Sequence, residues 1–220
     1  MRAVILHSDF TDYYDNYFDA PNSVSPLVFE RLTSRGMNRS EILGFLSRNG
    51  FTVPKHGILK NVGTWAPHLR DSQQVVIYLD EKSHRGENKL LLTITDALVK
   101  FPNCLAAEFV GISKDVGHGL RLLQVGFKYF RIELLSDDWR ASSGNVKTTI
   151  KSHGTGLQSN FLSPLWAIDF VPVAAGGNIL HYAVDFSSAP IVGEYGINEL
   201  LPAEEAAREI KQMINMYHRR

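Results

Sequence analysis

The sequence has a single cysteine, Cys104. That excludes an internal disulfide and a cysteine-based metal cluster, and it fits a reducing compartment. Cys104 follows Phe101-Pro102-Asn103 and precedes an apolar run, so it reads as a small buried hydrophobe. Net charge is missing too. Lys+Arg and Asp+Glu number 23 each, so no overall field draws the chain to nucleic acid or to an anionic membrane. No apolar run reaches bilayer-spanning length, and the one in MRAVILHSDF is too short for a signal peptide. The expectation is a soluble, cytoplasmic protein without a membrane partner and without a nucleic-acid partner. His56, His68, His84, His118, His153 and His181 lack metal-ligand spacing, and no nucleophile-elbow pattern or internal repeat occurs. The Gly117-His118-Gly119 triplet opens no helix, so it reads as a loop and not as a dinucleotide fingerprint.

What is present is an ordinary globular composition, 44% hydrophobic over 220 residues, enough for one large domain or two small lobes. Residues 2–6 read as a short strand, and the acid- and aromatic-rich DFTDYYDNYFDAPNSVSP as an irregular surface segment. Asn38 to Asn49 is the first clear helix: Asn38 caps it, Glu41 completes a capping box, and Asn49-Gly50 gives a left-handed stop. Phe51–Pro54 and Gly57–Lys60 read as one extended strand, followed by strands Gln74–Leu79, Leu90–Ile94 and Leu105–Val110, with a short helix from Thr95 to Lys100. Leu120–Val125 and Lys128–Leu135 pair across Gly126. Arg121 interrupts the first of these apolar runs, and a buried arginine needs an anionic partner, either a protein carboxylate or a bound phosphate. Ser136 to Gly144 is a polar turn, Lys151 to Asn160 reads as a mobile Gly-rich stretch, and a helix from Ala203 to Tyr217 closes the chain.

The most informative stretch is Leu165 to Pro190. Two apolar runs flank Gly176-Gly177-Asn178, a hairpin signal, and each run carries one carboxylate in mid-strand, Asp169 and Asp185. A hairpin centred on Gly177 sets these two opposite each other, about 5 Å apart on one face. Like charges so placed call for a proton or a cation between them, and Mg²⁺ is suited to one or two carboxylates completed by substrate phosphates. A one-residue slip would instead leave both aspartates solvated on opposite faces.

The order of parts from about Asn38 to Ile210 resembles the ATP-grasp superfamily of carboxylate–amine ligases. NRSEILGFLSRNGFTVPKHGIL resembles the family's opening helix and its entry into the first lobe, and LAAEFVG its adenine-holding strand and hinge, with Glu108, Phe109 and Val110 at the hinge positions. GLRLLQVGFKYF and DDWRASSG resemble its arginine-bearing strands, so Arg121 falls at a phosphate-facing position and Arg140 at the catalytic, phosphoryl-stabilising one. Read from the residues alone, Arg140 is as able to pair with Asp137 or Asp138 at the surface as to face a phosphoryl group. AIDF and AVDFSSAP resemble the paired strands that bear the magnesium ligands, which carries the metal role onto Asp169, Asp185 and Ser187, with serine where the family has asparagine. The family's phosphate-loop lysine is absent, leaving Lys60, Arg85 or Lys89 to replace it. The resemblance implies an α+β, two-lobed fold with antiparallel sheets: a short N-terminal segment (1–37), a first lobe (38–110) and a second lobe (111–220) carrying the metal-binding hairpin. It implies ATP and Mg²⁺ as cofactors, and transfer of a phosphoryl group to a carboxylate that an amine then attacks. With about 37 residues where the family has a substrate domain, either the acceptor is a peptide or macromolecule docked from outside or a partner supplies the missing surface. The alternative is a degenerate module that binds a nucleotide or a partner without turnover.

Overall fold

The computed structural model describes residues 37–82, 87–159, 164–187, 200, 201 and 203–218. The strand expected at residues 2–6, the aromatic segment after it, and Arg85 lie outside the described residues. Helix α1 (Arg39–Arg48) has the anticipated capping box: Glu41 N–H donates to Asn38 Oδ1 at 2.8 Å and Asn38 N–H to Glu41 Oε2 at 2.7 Å. The continuous strand expected over 51–60 does not form. Only β1 (His56–Ile58) is a strand, and Leu59–Asn61 turns as a 3-10 helix into α2 (Val62–Trp65). The Leu59 side chain, fully buried, is drawn into the core and curls the chain away from the sheet.

Strands β2 (Gln74–Tyr78), β3 (Lys89–Thr93) and β4 (Leu105–Glu108) join β1 in an antiparallel sheet ordered β1-β4-β2-β3. Helix α3 (Ile94–Lys100), capped by Thr93, packs on one face. Val75 and Ile77 point to that layer, together with Leu59, Ile94, Ala97 and Ala106, while Val76, Tyr78, Leu105 and Ala107 form the opposite face. Both faces are covered, so β2 reads as an unbroken apolar run.

The second sheet is also antiparallel, ordered β7-β6-β5-β8-β9, from β5 (Gly117–Val125), β6 (Lys128–Ser136), β7 (Lys147–Thr155), β8 (Leu165–Ala175) and β9 (Asn178–Ser187). Strand β7 takes up the first half of the stretch expected to be mobile. Its polar residues pair with β6, and the buried Gln124 anchors its end, its Nε2 donating to the Gly126, Lys128 and Gly156 carbonyls and its Oε1 accepting from Gln158 N–H. Ladder bonding overrides a composition that lacks apolar alternation. Gly117 and Gly119, expected in a loop, lie inside β5. Helix α1 precedes the first sheet in sequence but packs on the second, where Ile42 and Leu46 meet Trp166, Ile168, Ala183 and Phe186. Helix α4 (Ala203–His218) lies against the β5–β6 turn, where Lys128 pairs with Glu205. No helix among the described residues is long and apolar enough to cross a membrane.

Candidate active site

The register of the β8–β9 hairpin decides what stands at its centre. Gly176 and Gly177 have φ of 56° and 84°, so the loop is a two-residue turn with both residues left-handed, which suits glycine. Pairing therefore starts at Ala175 with Asn178, centred between the two glycines and not on Gly177. Continued unchanged, that register would put Val184 opposite Asp169. A β-bulge intervenes: Phe170 pairs with Ala183 and Asp169 with Asp185, which leaves Val184 as the extra residue. The two aspartates do face each other, as expected, but the bulge brings them together and the turn alone would not. Arg121 stands opposite Asp169 on β5, which makes a row of Arg121, Asp169 and Asp185 across three strands.

This row opens onto a cleft between the two sheets, with an empty volume of about 830 Å³ including its mouth. Val76, Ala107, Phe109, Leu134 and Trp139 give it an apolar wall, and Phe109 meets Trp139 edge-on at 6.1 Å. Lys89, Arg140, Asp169 and Asp185 give it a charged wall. A concave apolar site with a few convergent polar groups is the usual form of a small-molecule pocket.

Each charge in the cleft has a defined neighbour. Arg121 grips Asp169 with two hydrogen bonds, Nε to Oδ1 at 2.7 Å and Nη2 to Oδ2 at 2.8 Å. Arg39, in the first turn of α1 and only 1% exposed, reaches Asp185 Oδ1 at 2.6 Å and lies over the Tyr78 ring. Burial alone would raise the Asp185 carboxyl, but the Arg39 and Lys89 charges and the hydrogen bonds from Arg39 and Phe186 N–H outweigh it and hold it below the usual range. Burial lowers the Lys89 ammonium to about 8, and the Arg39 charge adds to that. Arg140 donates from Nε and Nη2 to the two Asp138 oxygens at 2.8 and 2.7 Å and lies over Trp139.

No family model matches the chain, and no curated protein matches it by sequence. Solved structures do match its shape. The ATP-grasp ligase PsnB with a minimal precursor superposes with a TM-score of 0.50 at 11% identity, over 82% of this chain and 62% of that one. A peptide-associated ATP-grasp ligase of Chryseobacterium gregarium, with ADP and a leader and core peptide, gives 0.50 at 14% identity, over 79% and 58%. D-cycloserine synthetase DcsG gives 0.52 at 11% identity, over 80% and 70%. This chain has the ATP-grasp fold. It spans about three fifths of the length of the first two ligases.

Set in the ATP-grasp fold, the residues singled out from sequence divide into two groups. Lys89, Glu108, Phe109, Val110, Arg140, Asp169 and Asp185 all line the cleft. Arg121 stands behind Asp169 and is not among the lining residues. Lys60 lies elsewhere, its ammonium on Asn103 Oδ1 at 3.1 Å. Ser187 ends β9 opposite Ala167, outside the lining set. The Glu108 carboxylate is already engaged, accepting from Lys55 N–H at 2.9 Å and lying 3.0 Å from His68 Nε2. Of the two partners left open for Arg121, the protein carboxylate is the one observed. Of the two left open for Arg140, the surface acid Asp138 is. Sequence reasoning missed Arg39 and Tyr78. Arg39 did carry a signal: a cation in the first turn of a helix faces the positive end of the helix dipole, so something other than helix stability holds it there.

Among the described residues no three His, Cys, Asp or Glu side chains converge on one point. The donor set is therefore two carboxylates. It fits Mg²⁺ as that ion is bound in phosphate sites, where one or two carboxylates are completed by phosphate oxygens and water.

Proposed function

We propose that the chain binds ATP with Mg²⁺ in this cleft and works as an ATP-dependent ligase, making an acyl phosphate of a carboxylate for attack by an amine or similar nucleophile. The lobes are taken as 38–110 and 111–220, a division that keeps each sheet within one segment. The observation that carries the reading is the opposed Asp169–Asp185 pair at the cleft of an ATP-grasp fold. Asp169 and Asp185 would hold the ion, which would supply positive charge against the charge that builds up on the phosphates in transfer. Phe109 and Val110 supply an apolar seat and hinge backbone for a base, with Glu108 fixing the hinge through Lys55. Of the described candidates, Lys89 at the cleft would take the place of the family's phosphate-loop lysine, since Lys60 is turned to Asn103. Arg140 would stabilise the transferred group, which requires it to leave or share Asp138. A peptide acceptor is supported by the leader and core peptides bound to the Chryseobacterium ligase. The lone cysteine is in keeping with a cytoplasmic setting.

A second reading, a binding module without turnover, is favoured by one feature. The arginine expected to meet the phosphoryl group has both its Nε and its Nη2 on Asp138. Thermal unfolding with and without Mg-ATP, on the native sequence and on Asp169→Ala/Asp185→Ala, tests the site itself. Ligand at about 100 times its dissociation constant should stabilise by roughly 2.7 kcal/mol, and the double variant should lose that gain. An unchanged melting temperature at millimolar Mg-ATP overturns the nucleotide site. A shift without ADP release over hours, across a set of peptide carboxylates, selects the binding module.

A further inference from the structure

The two carboxylates of the row are not held alike. Arg121 forks onto Asp169 through both carboxylate oxygens, the strongest and most directional form of such a pair. Arg39 meets Asp185 through Nη1 alone, and the same Nη1 donates to the Val184 carbonyl on the bulge at 3.2 Å. Its Nε is buried and has no hydrogen-bond partner, the one such side-chain atom among the described residues. A buried N–H left unmatched is a cost the fold normally removes. Asp185 in turn spends a single oxygen, Oδ1, on both Arg39 and Phe186 N–H, and its Oδ2 accepts from no described residue. The side chain is 32% exposed and faces the cleft. One carboxylate is clamped, and the other keeps an open oxygen beside a loosely seated arginine.

We propose that Arg39 is a built-in cation that holds the place of a divalent ion at Asp185. This rests on the reading of the aspartate pair as the metal site. Two arginines against two aspartates leave the row neutral, so a bare divalent ion gains no net attraction there and must displace Arg39 from a pairing made at 2.6 Å. Arginine does not deprotonate, so pH does not clear it. The ion enters Asp185 when a triphosphate arrives with it and supplies the missing ligands, and an empty cleft stays metal-free. Arg39 is in this sense a positioning residue: it sets the bulge through Val184, balances Asp185, and makes metal binding follow nucleotide binding.

The test is Mn²⁺ binding to nucleotide-free protein, read by electron paramagnetic resonance, for the native sequence, Arg39→Met and Arg39→Met/Asp185→Asn. Arg39→Met is expected to bind one Mn²⁺ roughly tenfold or more tightly than the native protein, and the second substitution to abolish the gain. Equal affinity in Arg39→Met and the native protein overturns the proposal, as does a gain that survives Asp185→Asn. If Arg39→Met does not fold, Arg39→Gln removes the charge while keeping a donor for Val184, and the same outcomes apply to it. The nucleotide site is judged separately by the Mg-ATP shift. A chain that ignores ATP yet gains Mn²⁺ affinity without Arg39 fails the first reading and the coupling to nucleotide, and keeps Arg39 as the cation that holds the ion's place at Asp185.

Discussion

Burial pushes the Lys89 ammonium from its ordinary 10.5 to about 8. The Arg39 charge adds to the effect and Arg140 reinforces it, while Asp185 and Asp169 oppose it. The Tyr78 ring lies 5.6 Å below the ammonium, which makes no hydrogen bond to a described residue. A cation so placed costs stability, and groups of that kind gather at functional sites. The sign of its pH dependence follows. Below pH 8 the amine is charged in both the folded and the unfolded chain, and the penalty is fully present. Between about 8 and 10.5 the folded chain releases the proton while the unfolded chain keeps it, so stability rises with pH. Lys89→Met is therefore expected to be more stable than the native protein at pH 7, on the order of 1–3 kcal/mol, with the gap closing by about pH 10.5. Urea melts of both proteins across that range check it. The same variant should bind Mg-ATP more weakly at pH 7, so stability and affinity move in opposite directions.

Strand β5 and the loop after β6 form one unit. A Cβ on Gly117 would strike the Asp138 carbonyl and lie 2.7 Å from Ala141 N, and one on Gly119 would lie 2.8 Å from the Ala141 Cβ. These glycines let the loop that bears Trp139 and Arg140 lie flat on the strand, a close approach and not a turn. Gly117→Ala must lift that loop, because its obstacles are backbone atoms. A loss of about 1–3 kcal/mol is expected, with weaker Mg-ATP binding, as measured by calorimetry, and unchanged Mn²⁺ binding. Legibility at this scale follows from how local each cause is. The capping box on Asn38 and Glu41 and the two-run hairpin were readable, because the residues that decide them lie within a few positions of one another. The bulge at Val184 was not, because no residue near it in the chain marks it, and the side chain that bonds its carbonyl, Arg39, is 145 positions away. The opposition of Asp169 and Asp185 was thus anticipated from a turn centre that is half a residue off, with a bulge supplying the difference. Lys60 and Ser187 were placed by motif order alone, and motif order does not say which way a side chain turns.

At the scale of the whole molecule, Trp139 and Arg39 connect the two sheets on either side of the cleft. Trp139, carried by the second sheet's loop, packs against Phe109 and among Val76, Tyr78, Leu105 and Ala107 of the first. Arg39 spans from Tyr78 to Asp185 on the other side of the cleft. Between these contacts, a clasp at Arg39 and a wedge at Trp139, the walls stand apart around the empty volume, and behind them α1 packs Ile42 and Leu46 into the core of the second sheet. The wedge is apolar and ligand-independent, whereas the clasp in the proposed cycle is exchanged for a metal ion. If that division holds, cooperativity between the lobes of the empty protein should depend on Trp139. Trp139→Ala is expected to cost about 2 kcal/mol, less than a fully buried tryptophan because the ring is only half-buried. It should also split unfolding, so that the van't Hoff enthalpy falls below the calorimetric one in scanning calorimetry. Saturating Mg-ATP, by bridging the charged wall to the hinge, should restore a single transition. A variant that melts in one step without nucleotide would mean that α1, packed on the second sheet and hydrogen-bonded through Arg39 N–H to the Glu81 carbonyl beyond β2, couples the lobes by itself. The clasp would then be structural as well as electrostatic, and its opening would cost the protein more than the exchange of one cation for another.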